Sequence, residues 1–82
     1  MVKVLVLKMD SKVLVSKIRE VGAEVGEPDC RLINPFRITD EGVFVRWPAV
    51  TDQRTLMIHS DSILTIVDPS EDIMKEYKEA IS

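Results

Sequence analysis

The fold class this sequence predicts is mainly β, with one helix at the C-terminal end. Three observations predict it. Short apolar runs rich in Val, Ile and Leu recur along the chain, separated by turn-forming clusters. No segment before Asp68 repeats its apolar residues at helical spacing. From Asp68 onward, Ile73, Tyr77 and Ile81 fall four apart and draw one stripe on a helix. An 82-residue chain with no linker is one domain. Several short strands at close spacing predict a small barrel or sandwich, because a sheet of this size must close or be covered. Residues 1–67 form this β body and residues 68–82 the helical tail of the same domain.

The elements follow in order. "VKVLVLKM" predicts a first strand from Val2 to Met9, and "DSK" at Asp10 to Lys12 a hairpin turn. The second strand runs from Val13 to about Val21. Gly22 and Gly26 mark a bend and a loop, and "GEPD" a turn. "CRLINPFRI" reads as a third strand with Cys30, Leu32, Phe36 and Ile38 on one buried face, Asn34 interrupting them, and Arg31 and Arg37 on the other. "TDEG" is a turn, "VFVRW" a fourth strand ended by Pro48, and "TDQR" a loop. "TLMIH" and "ILTIV" are two further strand runs, separated only by "SDS". In the tail, Asp68 is the expected cap, Pro69 suits the first helical position, and Glu71 is the expected capping-box partner.

Composition excludes several chemistries. Cys30 is the only cysteine, so a disulfide framework or thiolate metal cluster within one chain is excluded. The expected role of Cys30 is a small buried strand residue. His59 is the only histidine, which leaves little for a hydrolase triad or a His-rich metal site. No spacing assembles a nucleophile, base and orienter, and no glycine-rich phosphate loop is present, so no enzyme activity, metal or cofactor is expected. Met1 leads directly into the first strand without a cationic leader or a long apolar segment. With the single cysteine, that sets the expectation of a cytoplasmic protein without a membrane partner.

The net charge of −3 is unevenly spread. Residues 1–67 hold nine basic and nine acidic side chains, whereas residues 68–82 hold five acidic and two basic ones. Lys3, Lys8, Lys12, Lys17 and Arg19 face Asp10 alone in residues 1–19. With a pI near 5.0, this is not a general nucleic-acid binder driven by counterion release. A nucleic-acid site here would be local.

The stretch from Ile58 to Ile66, "IHSDSILTI", resembles the second motif of the Sm/LSm family. The family pattern there is an aliphatic residue, Arg-Gly, Asn or Asp, and then an aliphatic frame. The frame and Asp61 match, while His59 and Ser60 stand in place of Arg-Gly. "SILTIVDPS" is also similar to the Ala-Ile-Ser-Thr and Pro-Ser run of the Hfq-like branch, without its Lys-His pair. "DCRLINPF" offers Asp29 and Ile33-Asn34 for the first motif, with one extra residue in the spacing. The whole pattern, from Val2 to Tyr77, looks like the divergent Sm-like proteins of tailed phages and cyanophages. Typical members begin with a helix, and this chain ends with one.

The resemblance implies a small five-stranded, strongly bent Sm-like (SH3-like) barrel. It implies a homo-oligomeric ring of about five to seven subunits. The last two strands would pair between subunits, with Leu56, Ile58, Ile63, Leu64 and Ile66 as interface candidates. It also implies single-stranded RNA as a partner, as for an RNA chaperone or an RNA-processing accessory, in the host cytoplasm if the gene is a phage's. Asn34, His59 and Asp61 carry over as the candidate RNA pocket. The alternative is a structural or protein-interaction ring that has lost RNA binding, which the acid balance and the missing arginine favour. Local readings stand beside these roles. Asn34 before Pro35 equally suits a strand end or a bond to the local backbone. "SDS" is ordinary turn chemistry, His59 fits a half-buried strand position, and Trp47 fits a core anchor.

Overall fold

A computed structural model describes residues 1–22, 26 and 28–82. The strands are β1 (Val2–Leu7), β2 (Val13–Glu20), β3 (Cys30–Ile38), β4 (Phe44–Arg46), β5 (Thr55–Ile58) and β6 (Ile63–Val67), followed by helix α1 (Glu71–Ile81). The expected loop through Ala23 to Val25 and the "GEPD" turn, which contains Glu27, fall partly outside the described residues. The first strand stops at Leu7, short of the expected Met9, because Lys8 to Asp10 already form the turn.

All six strands form one antiparallel sheet in the order β4-β3-β2-β1-β6, with β5 also on β3. The long β3 carries both short strands on one side. Its first part, Cys30 to Ile33, pairs with β5, and its last part, Phe36 to Ile38, pairs with β4. The sheet is therefore five positions wide, but it is not closed into a barrel: β6 pairs with β1 and β5 with β3. The three-residue 3₁₀ turn Ser60–Ser62 sends β6 away to β1 instead of back along β5. The sheet is nevertheless strongly curled, because side chains from both outer strands meet in one cluster. Leu5, Leu14, Cys30, Leu32 and Ile63 are its buried members, and Leu7, Ile18, Trp47, Leu56 and Ile58 pack around them.

The predicted single buried face of β3 does not form. Between Val15 and Lys17 of β2, β3 spans Phe36 to Ile33, so Asn34 and Pro35 oppose Ser16 alone. This bulge reverses the alternation. Cys30 and Leu32 face the curled interior, while Phe36 and Ile38 face the opposite side. Asn34 takes the left-handed conformation, with φ 54, which Asn tolerates better than most residues. Pro35 has no N–H to leave unpaired.

Helix α1 covers that second side. Tyr77 is fully buried beside Val15 and Phe36, and Ile73, Ala80 and Ile81 pack around them. Phe36 meets the Tyr77 ring edge to face at 6.0 Å. The predicted stripe therefore docks on its own sheet. The cap differs from expectation: Ser70 is the N-cap, and its Oγ accepts the Ile73 N–H at 3.2 Å. Asp68 is occupied elsewhere, in an ion pair with Lys3 of β1. Glu71 and Asp72 instead sit in the first turn, where the helix dipole favours acids. Among the described residues, no helix is long and apolar enough to cross a membrane.

Candidate functional site

The polar stretch between β5 and β6 is tied down from a distance. Asp29, just before β3, accepts both the backbone N–H and the hydroxyl of Ser60, each at 2.7 Å. Those two bonds, with a smaller contribution from the nearby His59, hold the Asp29 carboxyl below the usual aspartate range. The turn closes on itself through Ser62 N–H to His59 C=O at 3.0 Å. Its far end is fixed by Lys8 N–H to Ser62 C=O at 2.9 Å, which joins it to the first hairpin. Ser60 thus does local turn work and also anchors the chain entering β3.

His59 and Asp61 lie together on this turn, and both are exposed. His59 keeps extended backbone at φ −81, ψ 134. It therefore continues the alternation of β5 on the side of Met57. Asn34 is elsewhere. Its N–H donates to Arg54 C=O at 2.7 Å, at the opposite end of β5. Arg54 and His59 are five residues apart along extended chain, roughly 16 Å at ~3.3 Å per residue. Asn34 serves the bulge: its carbonyl and that of Ile33 lie 2.9 and 3.0 Å from the Tyr77 hydroxyl, which donates to them. The same hydroxyl accepts Lys17 N–H at 3.3 Å. Both of these Asn34 bonds are made by its backbone groups.

Sequence reasoning missed Asp29 and Ser60 as a pair. Asp29 stood only as a frame residue of the first motif, and its partner is 31 residues away. The five interface candidates divide by direction. Leu56, Ile58 and Ile63 pack into the chain's own interior cluster. Leu64 and Ile66 are exposed, as are Met57 and Val67. Cys30 is buried as expected, and burial raises its thiol, the opposite of what a nucleophile requires. Among the described residues, no three His, Cys, Asp or Glu side chains gather as a metal site.

The outer surface beside the turn carries cations. Arg31 stands directly across from Arg19 on one side and from Met57 on the other. All three are exposed. With His59, this end of the sheet offers guanidinium, imidazole and thioether groups. They suit an anionic ligand with flat apolar parts.

A sequence profile for a family of unknown function (DUF6561) matches residues 1–82. No curated protein matches the chain.

Proposed function

We propose that this chain, which belongs to that family of unknown function (DUF6561), assembles head to tail into an Sm-like ring that binds single-stranded RNA at its β5–β6 turns. One observation carries the reading: among the described residues, the two strands joined by the Ser60–Ser62 turn lie at opposite edges of one sheet, β6 alone on one side and β5 beside the short β4 on the other. An edge strand offers a row of free backbone donors and acceptors. Pairing β5 of one copy with β6 of the next satisfies these two strands by one heterologous contact, which gives a ring where the rotation closes.

Ile66 supports this pairing. It stands opposite the fully buried Leu5, yet it is 45% exposed, because among the described residues no strand pairs with β6 on its other side. A neighbouring β5 would do so. Repetition around a ring brings the His59-to-Ser62 turns of successive copies to equivalent positions, each held by its Asp29. There His59 stacks on a base or contacts phosphate, as the arginine of the family pattern does.

A polarisation titration with short U-rich and A-rich strands at low salt tests the function. Saturable binding that His59→Ala weakens is the expected result. A ring that binds neither strand would leave the protein-interaction alternative, which the acidic residues 68–82 favour.

A further inference from the structure

We infer that Arg19 and Arg31 form a phosphate-binding pair on the outer face of the sheet, which holds the RNA backbone beside the β5–β6 turn. This inference rests on the RNA-binding reading above and adds the residues that would grip the strand. The two arginines are direct cross-strand partners on β2 and β3. Like charges placed opposite each other destabilise a sheet. Among the described residues, neither has a carboxylate within ion-pair distance: the ion pairs there are Lys3–Asp68 and Lys12–Asp10. Both side chains are exposed, and the strand register fixes their spacing.

The pair is also continuous with the turn. Met57 is the next residue across from Arg31, and His59 follows two positions along the same side of the chain. The row from His59 through Met57 and Arg31 to Arg19 therefore leads from the turn onto the sheet. Met57 is 40% exposed and gives an apolar, polarisable surface between the imidazole and the guanidiniums. Guanidinium forks match phosphate oxygens in bidentate geometry, which a lysine does not reproduce. In a chain of pI near 5.0, such a local pair confines phosphate contacts to one place.

The test compares the full chain with the double variant Arg19→Gln/Arg31→Gln, using a short U-rich RNA across a salt series. Loss of two phosphate contacts makes the slope of log K against log salt shallower by about 1.4, at about 0.7 per contact on a single strand. Affinity at low salt falls about tenfold or more. The variant is expected to melt no lower than the parent, because its substitutions remove a repulsion. His59→Ala, by contrast, lowers affinity with little change of slope. If the parent binds and the double variant keeps both affinity and slope, the arginine pair is overturned while the RNA reading stands. If the parent does not bind at low salt, the RNA reading itself fails and the pair falls with it.

Discussion

The hydroxyl of Tyr77 stands 2.9 Å from the carbonyl oxygen of Asn34, where it fills the gap the β3 bulge leaves in the sheet. One side chain of the helix thus meets Ile33 C=O, Asn34 C=O and Lys17 N–H at once. Tyr77→Phe keeps the ring and its contact with Phe36 but takes this partner from the part-buried Asn34 C=O and Lys17 N–H, while Ile33 C=O keeps the Ser16 hydroxyl at 3.1 Å. It should cost about 1–3 kcal/mol, the penalty for unsatisfied buried polar groups. A shift in the urea midpoint, with the m-value unchanged, is the measurement.

The same hydroxyl makes stability sensitive to alkali. Burial raises the Tyr77 pKa above its ordinary 10.0, against the opposing effect of the Lys17 N–H. The unfolded chain then loses its proton first as pH rises. The stabilisation is complete below pH ~10 and is lost as pH climbs through the folded value. Midpoints between pH 8 and 11 should fall for the parent and fall less for Tyr77→Phe.

Asn34 is predicted to matter for conformation and not for RNA. Its φ of 54 suits glycine and penalises residues with a Cβ that lack the Asn side chain. Asn34→Gly should be close to neutral, whereas Asn34→Ala should cost about 1–2 kcal/mol. Thermal melts of the two variants distinguish this from a base contact, which both would abolish. RNA affinity of Asn34→Gly should equal that of the parent.

Local periodicity made most elements legible in the sequence: the strands, the tight "SDS" turn, the buried Cys30 and the Ile73-Tyr77-Ile81 stripe. What was not legible depends on partners far along the chain. Asp68 reads as a cap until Lys3 takes its carboxylate, 65 residues away, and Ser70 then caps in its place. The even-numbered apolar positions of β3 read as one face until the bulge at Asn34 and Pro35 reverses them. Asp29 carried no local sign of its bond to Ser60. Asn34 and His59 come from two separate motifs that the resemblance joined in one pocket, and they lie at opposite ends of β5.

Asp29→Ala should release the Ser60 turn and lower RNA affinity with the curled core intact. The Asp29 carboxyl is held below its usual range by the Ser60 N–H and hydroxyl, so its contribution is present above the ordinary pKa of about 3.9 and is lost as pH falls further. Between pH 5 and 3, the urea midpoint of the parent should drop more than that of Asp29→Ala. Equal slopes would show that the tie does not operate in solution.

Charging the open edge should separate assembly from folding. Leu64 is 63% exposed in the single chain, so Leu64→Glu has little to disturb there. Sedimentation should give monomers with an unchanged circular-dichroism spectrum. Leu32→Ala, which opens the interior cluster, should instead cost about 2–5 kcal/mol and unfold much of the population.

Native mass spectrometry of the purified chain tests the central claim most directly. Pairing of β5 with a neighbour's β6 predicts one closed assembly of about five to seven copies. A monomer or dimer at every concentration would contradict it, leaving Ser60 to Ser62 a plain turn between two edges.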